Sequence, residues 1–128
     1  MEFKDTTEKI IACAYSVYNR IGFGFLESVY EKCLLIELRE CGLVAESQKA
    51  ITVSYKNELV GEFTADIVVN DSIILELKSV RQLAKAHEAQ LVNYLVATGR
   101  PVGLLLNFGE GKVEVRRKIK ELAPDVID

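Results

Sequence analysis

The chain has 128 residues, 49% hydrophobic and 27% charged, with a formal net charge of −3. That size and mix predict one globular domain over residues 1–128, built on one core. The acidic balance excludes a partner gripped by bulk positive charge, so a nucleic acid would have to be held by local basic residues or a bound cation.

Asp5 followed by Glu8 has the form of a capping box. It opens a helix over residues 6–21, in which Ile10, Ala14, Val17, Tyr18 and Ile21 recur at helical spacing. Gly22 ends it, and Gly22-Phe23-Gly24 makes a sharp link. A second helix runs over residues 26–41 with Gly42 at its end. Leu34, Leu35 and Leu38 form its apolar stripe, and Glu27, Tyr30, Glu31 and Leu34 share a face. Cys13, Cys33 and Cys41 are odd in number and lack metal-ligand spacing. They read as small buried hydrophobes kept reduced, which favours a cytoplasmic protein. The charged start Met1-Glu2-Phe3-Lys4-Asp5 offers no secretory leader, and no apolar run reaches the roughly 20 residues of a membrane span. No membrane attachment is expected.

Strand signals follow at residues 50–55, turned by Lys56-Asn57, and at residues 58–70, long enough for one bent strand or two. Asn70-Asp71-Ser72 is turn chemistry, and residues 73–80 make the next strand. Residues 83–98 read as a helix ended by Gly99 and Pro101. Residues 102–108 are almost continuously apolar, as in a strand buried on both faces. Gly109-Glu110-Gly111 turns the chain, residues 113–118 alternate as an edge strand, and the tail from Ala123 looks loose. The order is α-α-β-β-β-α-β-β. The strand–helix–strand unit implies a parallel pair in a mixed sheet, hence an α/β (α+β) sandwich.

Asp66 and Glu76-Leu77-Lys78 stand in this hairpin. Alternation puts Glu76 and Lys78 on one face and Ile73, Leu75 and Leu77 on the other. A two-residue turn would pair Val69 with Ser72 and turn Asp66 away from Glu76. A three-residue loop pairs Val69 with Ile73 and sets Asp66 opposite Glu76. The second register places Asp66, Val68, Ile74, Glu76 and Lys78 together and leaves the opposite face wholly apolar, so burial favours it. Directly opposed Cβ atoms lie about 5 Å apart. Two carboxylates that close repel unless one is protonated or a cation sits between them. Oxygen donors suit Mg²⁺ or Mn²⁺, and such an ion serves phosphoester hydrolysis. The same spacing also suits a surface ion pair of Lys78 with Glu76 or Asp66.

Asp66 with Glu76-Leu77-Lys78 resembles the catalytic signature of the PD-(D/E)xK nuclease superfamily. Gln90-Leu91-Val92-Asn93-Tyr94 resembles the Gln-x-x-x-Tyr helix motif of its recombination-exonuclease branch. Gly24-Phe25-Leu26-Glu27-Ser28-Val29-Tyr30 resembles the signature of the GxxExxY protein family, grouped with those nucleases. The likeness runs over about residues 6–118. It departs at Ala65, where the superfamily's proline before the first aspartate is absent.

The resemblance implies a restriction-endonuclease-like core, a mixed sheet flanked by helices with the site at one sheet edge. It implies Asp66 and Glu76 as ligands of Mg²⁺ or Mn²⁺, Lys78 as the catalytic lysine, and Glu27 as an extra acidic ligand from a helix. Gln90 is placed to hold a phosphate or the attacking water. Tyr94, His87, Arg81, Lys85 and Tyr30 are the expected substrate-side residues. The implied activity is metal-dependent cleavage of nucleic acid, DNA first. The alternative is a catalytically silent module that binds nucleic acid or protein. The 113–118 edge strand offers a route to a homodimer by strand pairing.

Overall fold

The computed structural model describes residues 3–120. The elements are α1 (Lys4–Ile21), α2 (Glu27–Glu40), β1 (Ala45–Tyr55), β2 (Glu58–Val69), β3 (Ile73–Lys78), α3 (Lys85–Thr98), β4 (Val102–Phe108) and β5 (Val113–Ile119). The expected order is the observed one. The tail from Ala123 lies outside the described residues.

The five strands form one sheet in the order β1-β2-β3-β4-β5. Neighbours are antiparallel except β3 and β4, which are parallel and joined through α3. Helices α1 and α2 cover one face over Ile67, Val69, Ile73, Leu75, Leu77, Leu104 and Leu106. Helix α3 covers the other over Ile51, Ala65, Val68, Ile74 and Leu105. Every residue of β4 is buried, because it is central and sandwiched. This is an α+β fold, a mixed sheet between two helical layers. No helix among the described residues is long and apolar enough to cross a membrane.

Local details differ from the sequence reading. The Asp5–Glu8 capping box does not form: α1 starts at Lys4, the N-cap is Phe3 at φ 64° without a side-chain cap, and Asp5 lies inside the first turn. There its charge still suits the helix dipole. β1 begins at Ala45, not residue 50. Its first part is mostly exposed and polar, so no alternation marks it, yet Ala45, Glu46 and Ser47 pair with β2. Of the cysteines only Cys13 is buried. Its thiol lies 3.4 Å from that of Cys41, and burial, then the Cys41 thiol, pushes it up to about 12.

The β2–β3 hairpin takes the register of the three-residue loop. Val69 pairs with Ile73, Val68 with Ile74 and Ile67 with Leu75. Asn70 and Asp71 both adopt positive φ, 50° and 54°, and Ser72 N–H donates to Val69 O at 3.0 Å. Asn and Asp tolerate that region best after glycine.

Helix α3 sits close to the sheet at Gly103, where a Cβ would lie 2.7 Å from Leu91 Cδ1 and 3.0 Å from its Cγ. Leu91 is fully buried and has little room to move. Gly103→Ala should therefore lower the unfolding free energy by roughly 1–3 kcal/mol, read in a urea titration.

Candidate functional site

Strands β2 and β3 stop pairing beyond Ile67 and Leu75. Continuing the register would set Asp66 opposite Glu76. Instead the Asp66 carboxylate takes a place in the ladder: its Oδ2 accepts the Leu77 N–H at 2.7 Å. The other side of β2 is also interrupted there. The β1–β2 ladder skips Gln48 and Asp66, and Gln48 has φ 52°. Ala65 packs under α3 while Ile67, two residues on, packs under α1 and α2. The strand changes faces at Asp66, which opens a gap beside its carboxylate.

Glu76 is 6% exposed. Its Oε1 is buried with no hydrogen-bond partner. Burial, then the charge and hydrogen-bonding oxygen of Asp66, raises its carboxyl to about 9; Lys78 acts in the opposite sense. Lys78 is half-buried and makes no ion pair among the described residues. The surface ion pair that the spacing also allowed is therefore not formed.

The end of β3 is fixed by Asn107, a fully buried residue of β4 that pairs with Lys78. Its Oδ1 accepts the Val80 N–H at 2.9 Å. Its Nδ2 donates to Val80 O at 2.8 Å and to Glu114 Oε1 at 2.9 Å. One side chain thus continues the ladder past Lys78.

The α2 side supplies two more acids. Glu27 opens the helix and is exposed. Glu31, one turn on, is half-buried and accepts a hydrogen bond from Gln48 Nε2 at 2.6 Å. Burial raises its carboxyl most; the Gln48 bond works against this and the Asp66 charge works with it. Glu27, Ser28, Glu31, Gln48, Asp66 and Leu77 line one recess of about 210 Å³. Tyr30, expected at the substrate, has no exposed surface to offer one. It stacks on Phe108 at 4.3 Å. Its hydroxyl donates to Gly22 O at 2.5 Å and accepts from Phe25 N–H at 3.3 Å. With Ser79 Oγ donating to Phe25 O at 2.8 Å, it holds the loop ahead of Glu27, in which Gly24 takes φ 113°.

Helix α3 faces the carboxylates with Tyr94. The side chain is 7% exposed, and its hydroxyl is held above its ordinary value by burial, then by Glu76 and Asp66. Gln90 is exposed one turn earlier, beside Tyr94 in a second cavity. His87 is engaged locally: its Nδ1 accepts the Ala84 N–H at 3.1 Å at the start of α3. Arg81 and Lys85 are exposed, and Arg81 makes a loose 3.5 Å ion pair with Glu110.

The fold therefore gathers Asp66, Glu76, Lys78 and Tyr94, with Glu27 and Glu31 across the recess. The acids stand on the second and third strands of five, at the end of β3, and not on an edge strand. Sequence reasoning left out Glu31, Gln48 and Asn107 as site residues. Glu31 was reachable from its shared face with Glu27, and Asn107 as the one amide in an apolar strand. Gln48 carried no signal, because its place depends on the broken ladder.

Among the described residues, no three His, Cys, Asp or Glu side chains form a ready ligand set. Mg²⁺ does not require one, since it keeps several waters and binds through one or two carboxylates plus phosphate. A buried carboxylate oxygen lacking any partner beside a second carboxylate fits a hard cation.

Comparison with known proteins agrees with this fold. A model described as PD-(D/E)XK nuclease superfamily matches residues 4–118. The solved structure described as "Crystal structure of SSO0001" superposes with a TM-score of 0.61 at 17% identity, covering 79% of this chain and 54% of that one. It shares the fold, and this chain spans about half its length. No curated protein matches.

In the unfolded chain Glu76 ionises near its ordinary 4.5, in the folded one only near 9. Between those values the folded state holds the extra proton, so stability declines as pH rises and is fullest below the lower one. Glu76→Gln should remove most of that decline in EDTA and stabilise the protein by roughly 1–3 kcal/mol near pH 8. Urea titrations across the range check it; an unchanged pH slope would clear Glu76. Asn107→Leu should cost about 2–4 kcal/mol in the same titration, since it strands the Val80 amide and Glu114.

Proposed function

We propose that this chain, which belongs to the PD-(D/E)XK nuclease superfamily, hydrolyses phosphodiester bonds in nucleic acid, DNA first, with Asp66 and Glu76 holding Mg²⁺ or Mn²⁺. The observation that carries the reading is Glu76 Oε1, buried without a partner beside Asp66 in the middle of a hydrophobic sheet. A buried carboxyl with an unmet acceptor costs stability, so its retention points to chemistry. A cation held there would supply the positive charge that offsets the charge growing on the phosphate and would lower the pKa of water in the site.

The chain's own residues then have distinct work. Asp66 is oriented by the Leu77 N–H, which leaves its carboxylate fixed at the strand gap. Lys78 lies on the Glu76 face and favours the ionised carboxylate. Its ammonium is placed to orient the attacking water and to meet transition-state charge. Tyr94 keeps its proton and offers a donor to the same region. Glu27 and Glu31 face Asp66 across the recess, and either can hold a water of the cation's shell. Arg81 and Lys85, exposed where β3 leads into α3, suit phosphates flanking the scissile one. His87 has its Nε2 edge left for a phosphate once Nδ1 caps α3. The finer likeness to GxxExxY proteins is supported by the service of Gly24 and Tyr30, which hold the loop that presents Glu27.

The test is incubation with single- and double-stranded DNA and RNA in Mg²⁺ or Mn²⁺. Cleavage is expected, ended by EDTA, and reduced on the order of 10²-fold or more in Glu76→Ala and in Lys78→Ala. Equal activity in Glu76→Ala would assign the cleavage to a contaminant. Mn²⁺ at a hundredfold excess over its Kd should stabilise the native protein by about 2.7 kcal/mol, and Asp66→Ala should abolish that gain. Calorimetric Mn²⁺ binding that survives Asp66→Ala would overturn the ligand assignment.

A further inference from the structure

A cavity of about 750 Å³ lies between the β1–β2 hairpin and α3. It is lined by Val53, Ser54, Phe63, Gln90, Asn93 and Tyr94, among others. That volume is of the size that takes a small organic ligand, far more than an ion or a few waters need. The walls are mixed. Phe63 and Tyr94 pack at 5.6 Å with planes tilted by 39°, and the side-chain amides of Gln90 and Asn93 sit at the rim on consecutive turns of α3.

Two observations select the occupant. Tyr94 belongs to both sites: it lines the cavity, and it packs in one cluster with Ala65 and Ile74, which stand beside Asp66 and Glu76 on β2 and β3. A group seated in the cavity is thus one side chain away from the carboxylates. The exposed ring is Phe63, 47% accessible, whereas Tyr94 is 7% accessible and closed off. An aromatic face bordered by two amides matches a nucleobase, which has a flat π-surface and hydrogen-bonding edges. A base inside a duplex has both faces covered and cannot enter.

We propose that this cavity seats one unpaired base, stacked on the open face of Phe63 with its edge met by Gln90 and Asn93, so that the site acts on single strands or frayed ends. The seat rests on the phosphodiester reading only for its catalytic consequence. The base lies on the α3 side of the sheet while its phosphate reaches the carboxylates past Tyr94. Phe63 is then a specificity residue supplied by the hairpin that Gln48 and Asp66 bend.

The experiment uses the full chain in EDTA, where no cleavage competes. Single-stranded DNA of about a dozen nucleotides carries 2-aminopurine at each position in turn, and the same strands are also annealed as blunt duplexes. Binding to the native protein should quench the fluorescence at one position of the single strand. Phe63→Ala should weaken single-strand binding about tenfold and remove the quench, Phe63→Tyr should keep both, and duplex binding should stay unchanged. Asn93→Leu, at an exposed helix position, keeps the size of the side chain but removes the amide that meets the base edge, and should lose the quench too. No quench at any position, or equal losses on single strands and duplexes, would overturn the proposal, as would a native-like quench in Asn93→Leu. The two readings fail separately: quenching without Mn²⁺-dependent cleavage removes the hydrolase and leaves the base seat. Cleavage of single strands that is undiminished in Phe63→Ala removes the seat and leaves the hydrolase.

Discussion

A carboxyl group buried in the central strand of a hydrophobic sheet is the constraint around which this molecule is arranged. Glu76 is flanked by Leu75 and Leu77, both at most 1% exposed, and its own Oε1 meets no donor. Left alone in that position, a carboxylate takes up a proton. Two arrangements next to it bear on this. Lys78, two residues on and on the same face, draws the group back toward its ionised form. Asp66 does the reverse: its own oxygen is committed to Leu77 N–H and its charge opposes a second negative charge. The pair is therefore frustrated as it stands, and a hard cation would relieve it. Sites of that kind carry function at a cost in stability.

Hydrogen bonds fix the segments around this pair. Asn107 makes three hydrogen bonds to hold the strand end beyond Lys78. Tyr30 and Ser79 tie the loop before Glu27 to the same region. Next to Asn107, Tyr18 hydroxyl donates to Gly109 O at 2.6 Å and accepts from Gly111 N–H at 2.8 Å, fastening α1 to the β4–β5 turn. Two recesses open next to these carboxylates, one beside Asp66 and one beneath Phe63. Substrate can approach where the packing stops.

Much of this was legible in the chain. The alternation of Ile73, Leu75 and Leu77 against Ile74, Glu76 and Lys78 set the faces, and the observed clusters put the first three on one side of the sheet and Ile74 on the other. The register followed from the demand that one face be apolar, and Val69 does pair with Ile73. What stayed hidden was the change of face at Asp66. It arises from the paired irregularity of Gln48 and Asp66, a tertiary feature with no period to detect. Tyr30 misled for a related reason. An aromatic beside a candidate ligand reads as a substrate contact, but its burial depends on Phe108, far away in sequence. The start of β1 was missed because an exposed edge strand of polar residues shows no alternation.

The distribution of positive charge follows the same logic. The sequence offers 16 basic residues, and several of them are already engaged. Lys118 pairs with Glu88 at 2.6 Å, Arg100 with Asp71 at 2.8 Å, Lys49 with Glu46 at 2.9 Å and Arg116 with Glu114 at 3.6 Å. Arg117 donates to Thr7 Oγ1 at 3.1 Å. The run Arg116-Arg117-Lys118 is therefore part of the sheet's own surface, not a ready phosphate track. With a net charge of −3, the molecule has no broad field to draw in a polyanion. On the proposed reading, its attraction for phosphate would be concentrated at one point, a cation held by Asp66 and Glu76 with Lys78 beside it. Affinity for the strand must then come from what lies next to that point. The apolar, amide-rimmed cavity under Phe63 suits that task, because stacking owes nothing to net charge.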